Sequence, residues 1–270
     1  MLQAIEFPPA VQIDVDYPQH DPVADPGSTM MNTALFRKGV FPEKTVPAVH
    51  DLQRKAGEIC VFSFASSDGS ELDTWLSYHN LSGDGRPVSA FGFDRHPGLV
   101  EQANSGVHLL PVALNSPRDI VEIGTILDNF GFAADLETVL ESDGTRWYGR
   151  DGYFAIDANP VRDGHNVTFV QHDVRRELPV DKPAHLILVN NLLYHLTPAD
   201  ADAVIASSVS SLAKGGILVF SGASWNYMKD SHLWYDDWTE DVHDRLTVDE
   251  GLEPFDLDSS GVVRSYVRPQ

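Results

Sequence analysis

The sequence predicts an α/β fold: a mostly parallel sheet closed by an antiparallel strand at the C-terminal end. Three observations predict it. Short apolar runs recur at 59–64, 88–93, 167–174, 184–191 and 217–221, and runs apolar on both faces belong to a sheet covered on both sides. Helical patterns separate them, as parallel strands require. The chain then ends in two strand-like runs within 254–268, parted by Ser259-Ser260-Gly261, which read as a hairpin.

Taken in order, residues 1–31 hold five prolines and five acids but no Lys or Arg. They read as an irregular acidic arm preceding one domain that spans 32–270. A helical stretch opens at Asn32, and Val46-Pro47 starts a second one that runs to about Gly57. The first strand ends in the small-residue turn Ala65-Ser66-Ser67-Asp68-Gly69. Leu72, Trp75, Leu76 and His79 then mark one apolar helical face. The second strand closes on Asp94, and His96-Pro97 begins a helix through Asn104 that stops at Gly106.

Residues 115–165 interrupt the alternation and read as an insertion lying over the ligand edge of the sheet. Ser116-Pro117 caps a helix with Ile120, Val121, Ile123, Ile126, Leu127 and Phe130 on one face. A helix over 135–140 and a hairpin over 146–156 are expected to follow. Beyond the strands at 167–174 and 184–191, Thr197-Pro198 caps a helix with face Val204, Ile205, Val209 and Leu212, closed by Gly215-Gly216. After the strand at 217–221 come Trp225, Tyr227, Trp234, Tyr235 and Trp238, then a helix carrying Trp238, Val242 and Leu246.

Composition narrows the function classes. Of 270 residues, 42% are hydrophobic and 10% aromatic, as in a folded globular chain. Forty acids against 19 bases give a net charge of −21, which repels phosphate backbones and argues against nucleic-acid binding. No apolar run reaches membrane-spanning length, and the first residues carry neither a basic leader nor an apolar signal core. A cytoplasmic protein without membrane association is the expectation. The lone Cys60, inside the first strand, reads as a buried unreactive thiol in a reducing compartment. The eleven histidines show no metal-ligand spacing, so no metal is expected.

In an open α/β sheet, ligands bind outside the carboxyl ends of the strands. Those ends carry Ser66, Ser67, Asp68, Gly69, Ser70 and Glu71, then Asp94, Asp173, and finally Asn190 and Asn191. No G-x-G-x-x-G is present, and the edge looks free of basic residues except for what Arg37 brings. Such an edge suits a ligand with ribose hydroxyls, an adenine and a cationic sulfonium, which describes S-adenosylmethionine. Asp94 would accept the ribose hydroxyls in charge-assisted bonds, and Asp173 the adenine amino group. Asn190 and Asn191 would meet the methionine part, and Gly69 would let the backbone approach the ligand without a Cβ.

Several segments together resemble the catalytic domain of the chemotaxis-receptor (CheR-type) methyltransferases, which methylate glutamate side chains with S-adenosylmethionine. Thr33-Ala34-Leu35-Phe36-Arg37 resembles the family's Thr-x-Phe-Phe-Arg element, and Ser67-Asp68-Gly69-Ser70-Glu71 its Ser-Thr-Gly-Glu-Glu turn. Asp94 corresponds to the acid after the second strand, followed by Leu99, Ala103 and Gly106-Val107. Tyr153 and the run 167–174 match a tyrosine and a V-x-F-x-x-x-[ND]-[LV] run. The segment 190–195 resembles Asn-Val-Leu-Ile-Tyr-Phe, and 212–216 the end of the helix after it. The likeness spans about 32–222 and implies a Rossmann-like class I methyltransferase fold. It further implies cofactor contacts from Thr33, Arg37, Ser67, Gly69, Glu71, Asp94, Asp173, Val174, Asn190 and Asn191. Two departures stand out: Ser70 replaces the turn's first glutamate, and the basic helical domain that docks receptors has no counterpart.

Methyl transfer from a sulfonium needs alignment and exclusion of water, and only a hydroxyl or ammonium acceptor needs a base. Arg37 and Tyr194 are the candidate catalytic residues, with His195 beside them. The aromatic segment 225–238 and the insertion are the expected acceptor walls. The expected partner is a small organic molecule or a protein carboxylate. A non-catalytic domain that binds S-adenosylmethionine or S-adenosylhomocysteine, and a receptor-type protein-glutamate methyltransferase, are the alternatives.

Overall fold

The computed structural model describes residues 48–49, 51–52, 57–82, 86–111, 124–125, 127–140, 153–190, 192–193, 196–221, 242–257 and 263–269. Strand β1 (Ile59–Phe64) lies inside a seven-stranded sheet, with β2 (Val88–Asp94) on one side and β7 (Ala184–Asn190) on the other. Both neighbours run parallel to it, and Phe64 stands level with Phe93 and with Val189. Strand β6 (Asn166–Gln171) continues the sheet beyond β2 and β8 (Leu212–Ser221) beyond β7, both in parallel. The C-terminal hairpin adds β9 (Glu253–Leu257) and β10 (Val263–Val267). The full order is β6-β2-β1-β7-β8-β10-β9.

This is the expected Rossmann-like class I methyltransferase fold, with one correction of placement. The antiparallel strand is not at the edge: β10 inserts between β8 and β9 and is antiparallel to both. A tight hairpin can deliver its second arm to the sheet before its first, so the edge falls to β9.

Alternation along the strands divides the core into two layers. Ile59, Val61, Leu186, Leu188, Ile217 and Val219 face helices α1 (Ser70–Leu81) and α2 (Pro97–Ser105). Cys60, Phe62, Phe64, Ile187, Val189 and Leu218 face α4 (Pro198–Ser211), with Leu246, Leu252 and Tyr266. Cys60 is buried, and burial pushes its thiol up to about 12, so it stays protonated. Thr197 caps α4 as expected, its side chain accepting from the Asp200 N–H. The helix ends at Ser211, however, and Gly215-Gly216 lie within β8. The β7–β8 register jumps there, from Ala184 opposite Leu212 to Leu186 opposite Ile217, so the glycines sit in a bulge rather than a helix cap.

A second sheet, of order β3-β5-β4, is built from β3 (Val107–Pro111), β4 (Ala133–Leu140) and β5 (Tyr153–Asp157), all antiparallel. The expected helix over 135–140 is therefore a strand. Its helix-forming Leu and Glu are weak local preferences, outweighed by the backbone ladder to β5. Of the hairpin expected over 146–156, residues 153–156 lie in β5, which pairs with β4, and 146–152 lie outside the described residues. The expected third strand ends early, so Asp173 and Val174 lie beyond β6. A short helix α3 (Asn159–Arg162) links the small sheet back to β6.

Phe154, Ile156 and Val161 of this added unit pack into the same layer as Leu72, Trp75 and Leu76 of α1. Helix α1 is consequently buried on more than the one face its periodicity marks: Asp73, Thr74, Ser77 and Tyr78 are buried too. Residues 1–31, Thr33, Arg37, the 225–238 aromatics and most of the 115–130 helix lie outside the described residues.

Two glycines fix how tightly β6 closes on this layer. Gly69 has φ 85°, and a Cβ there would stand 2.6 Å from Phe169 Cζ. At Gly92 a Cβ would come within 2.2 Å of Phe169 Cδ1 and 2.8 Å of Ser66 Oγ. Phe169 thus fills the space both glycines leave. Gly92→Ala should cost about 1–3 kcal/mol by overpacking, and adding Phe169→Leu should return part of it. Urea denaturation of the single and double variants measures both.

Candidate functional site

The helices lie on both faces of the sheet, and the order of the parallel strands reverses between β1 and β7. This topological switch point is where an open α/β sheet forms its crevice. Three chain segments meet there in register, each one residue past the level of Phe64, Phe93 and Val189: the turn beginning at Ala65, Asp94, and Asn190.

The turn is held in a conformation that L-residues rarely adopt. Ala65 has φ 52° and Ser67 φ 51°, and residues so placed outside glycine persist only where the surroundings hold them. The surroundings here are specific. Ser66 N–H donates to the Phe93 carbonyl at 3.0 Å, and Gly69 N–H to the Ser66 carbonyl at 2.9 Å. Ser67 N–H donates to Asp94 Oδ2 at 3.0 Å, while Asp94 Oδ1 accepts from His96 N–H at 2.9 Å. Asp94 therefore ties the β1 turn to the start of α2.

The structure brings Ser67, Gly69, Asp94 and Asn190 to this one edge, with Glu71 in the first turn of α1. At Gly69 the missing Cβ leaves room for Phe169 and the residue takes a positive φ. Ser70 turns inward, its N–H (3.1 Å) and hydroxyl both donating to Asp68 Oδ1. Val174 packs its side chain into the α4-side layer. Asn191, Tyr194 and His195 join Thr33 and Arg37 outside the described residues.

Asp173 is already engaged. Arg175 grips it with Nε to Oδ1 at 2.8 Å and Nη2 to Oδ2 at 2.5 Å. This bidentate pair, opposed by partial burial, holds the carboxyl down at about 2. Arg175 Nη1 also reaches Asp200 Oδ1 at 3.1 Å. The edge is thus not free of basic residues, as composition near the strand ends had suggested; the Arg175 charge is spent on two acids.

Asn190 and the Ser66 hydroxyl are buried here without a hydrogen-bond partner among the described residues. Asn190 is 5% exposed, and neither its Oδ1 nor its Nδ2 is bonded by any of them. A buried amide left this way costs about 1–3 kcal/mol per group. A ligand offering both a donor and an acceptor, such as an α-amino acid's ammonium and carboxylate, would satisfy it. The residues present therefore fit the methionine end of S-adenosylmethionine, and Asp94 retains lone pairs for ribose hydroxyls.

Behind the turn lies a buried charge network that the sequence did not announce. His108 of β3 donates from Nε2 to Asp73 Oδ2 at 2.7 Å, and its Nδ1 stands 3.8 Å from Asp68 Oδ2. Arg162 of α3 clamps the same Asp73 with Nε at 2.7 Å and Nη2 at 2.6 Å. Burial opposes a charge on His108, yet the two carboxylates outweigh it and hold the imidazole up at about 9. Asp68, for its part, is held below the usual carboxylate range despite its burial, chiefly by His108. No sequence spacing singles out positions 68, 73, 108 and 162 as one cluster.

Among the described residues, no group of three His, Cys, Asp or Glu is placed to hold a metal ion, and no helix is long and apolar enough to cross a membrane. Neither a protein-family model nor a curated protein matches the chain. Solved structures do align with it. The N-methyltransferase NodS from Bradyrhizobium japonicum WM9, in complex with S-adenosylhomocysteine, aligns over 86% of this chain and 90% of its own at 15% identity, with a TM-score of 0.44. CalS10, a SAM-bound amino pentose methyltransferase from Micromonospora echinaspora, aligns over 84% and 90% at 9% identity and 0.45. Magnesium protoporphyrin IX methyltransferase from Synechocystis PCC 6803, with bound SAM, aligns over 83% and 78% at 13% identity and 0.42. At such identities and TM-scores these likenesses add nothing to the topology and geometry above.

The network has a pH signature. A histidine whose folded pKa is raised from 6.5 to about 9 contributes stability that is complete below about 6.5 and lost as pH rises through about 9. The urea midpoint should therefore decline across that window, and His108→Gln should flatten the decline.

Proposed function

We propose that this chain is an S-adenosylmethionine-dependent methyltransferase acting on a small organic acceptor or a carboxylate. The observation that carries the reading is the buried Asn190 amide, without a partner among the described residues, beside the strained Ser67 turn and Asp94 at the switch point. In this reading the Asp94 carboxylate accepts ribose hydroxyls, and Asn190 with Glu71 receives the amino-acid end. Asp173 accepts the adenine amino group while shared with Arg175, Val174 contributes through its backbone, and Ser67 and Gly69 line the turn. Residues 33, 37 and 191 complete the cofactor set through the resemblance to the receptor methyltransferases.

The bound cofactor supplies an electrophilic methyl on a sulfonium. The chain's own task is then to orient the acceptor in line with that methyl and to keep water out. Arg37 and Tyr194 are assigned to the acceptor side, where a guanidinium would hold a carboxylate and a phenol would position a smaller group. A carboxylate acceptor needs no base, whereas a hydroxyl or ammonium acceptor would. The inward turn of Ser70 favours one second reading, a domain that binds the cofactor without consuming it, because it leaves Glu71 alone where the receptor enzymes use two acids.

Isothermal titration calorimetry tests the reading. Wild-type protein should bind S-adenosylhomocysteine, and Asp94→Ala should weaken it by about tenfold or more through lost charge-assisted bonds. Asp94→Asn retains the shape but keeps only one acceptor for the Ser67 and His96 N–H groups, so it should weaken binding as well. Thermal protection by NAD with no response to S-adenosylhomocysteine would sink the reading. Binding without methyl consumption across candidate acceptors would favour the second one.

A further inference from the structure

We propose that His108 is a positioning residue for the cofactor turn, holding Ser66–Ser70 in its ligand-ready shape from behind through Asp68. The inference rests on the cofactor reading above and extends it to a residue of the small sheet, which no strand-end pattern would select.

The geometry gives three reasons. First, Asp68 sits at the middle of the turn, and its Oδ1 accepts both the backbone N–H and the hydroxyl of Ser70. It thereby sets the step from the left-handed Ser67 and Gly69 into α1. Second, its other oxygen faces His108 Nδ1, whose far nitrogen is anchored on Asp73, itself clamped by Arg162. Third, each ring nitrogen faces a carboxylate in a side chain only 2% exposed. A neutral imidazole would aim a lone pair at one of them, so this pocket suits the imidazolium. The ionisable groups facing His108 are Asp68 from the turn and Asp73 from α1, with Arg162 from α3 behind Asp73; the raised value of about 9 agrees with that set.

The consequence is a link between the small sheet and cofactor affinity. With the ring charged, Asp68 is held between Ser70 and His108 and the turn is fixed. With the ring neutral, one of the two attractions is lost and the strained Ser67 conformation has less to hold it. Binding energy must then be spent on ordering the turn. Because linkage is reciprocal, the cofactor must in return favour the charged ring.

The experiment pairs calorimetry with NMR titration of the His108 ring, using S-adenosylhomocysteine as the probe. His108→Gln should bind it about tenfold more weakly at pH 7.5 while retaining the native circular dichroism spectrum. In wild-type protein, saturation with S-adenosylhomocysteine should raise the His108 titration midpoint by about one pH unit, the linked equivalent of a tenfold affinity change. A purely structural histidine would leave that midpoint where it was. If wild-type binds but His108→Gln binds within twofold, or the ring midpoint ignores the ligand, the inference is overturned and the cofactor reading stands. Should His108→Gln fail to fold, the wild-type ring titration with and without ligand decides alone. If wild-type itself does not bind, the cofactor reading falls first and takes this inference with it.

Discussion

The Asp94 carboxylate is the constraint on which the rest of the site depends. One oxygen holds the Ser67 N–H and the other the His96 N–H, so a single side chain joins the turn after β1 to the helix after β2. Two adjacent parallel strands thus end in a common, rigid rim. That bond opposes relaxation of Ser67 from its positive φ, a conformation worth of order 1–3 kcal/mol in strain. A capping role and a ligand role are not rivals at this residue. A carboxylate has about four lone-pair directions, and two backbone donors leave the others for a ligand.

Packing from below makes the rim stiff. Phe169 occupies the space vacated by Gly69 and Gly92, so β6, β2 and the turn close on one ring. Asn104 reinforces this by bonding both the carbonyl and the N–H of Phe169, at 2.9 and 3.1 Å. On the far side of α1, the small antiparallel sheet buries what would be the helix's solvent face, and the polar residues there need partners. Asp73 has two of them in Arg162 and His108. Burying a carboxylate is tolerable only with such compensation, and one of the two compensating groups, His108, also faces Asp68 in the turn.

Much of this architecture is legible in the sequence because it follows from periodicity. Each of the five apolar runs yields a strand, the third one shorter than expected, and the Thr197 and His96-Pro97 helix starts and the C-terminal strands appear where local chemistry placed them. Asp94 and Asn190 could be singled out because polar residues that end buried strands must lie at the sheet's rim. Other features depend on contacts that no local pattern encodes. Residues 135–140 look helical until β5 pairs with them. The space at Gly69 is filled by Phe169 of β6, and Arg175 folds back onto Asp173. The cluster of Asp68, Asp73, His108 and Arg162 is assembled from three separated segments, so only the tertiary fold reveals it.

The central claim is that the rim formed by the β1 turn, Asp94 and Asn190 binds S-adenosylmethionine. Amide hydrogen exchange with and without S-adenosylhomocysteine tests it most directly. The account predicts added protection concentrated at Ser66–Glu71, around Asp94–His96 and at the end of β7, with the β9–β10 hairpin unchanged. Protection confined to other segments, with these amides exchanging as before, would contradict it.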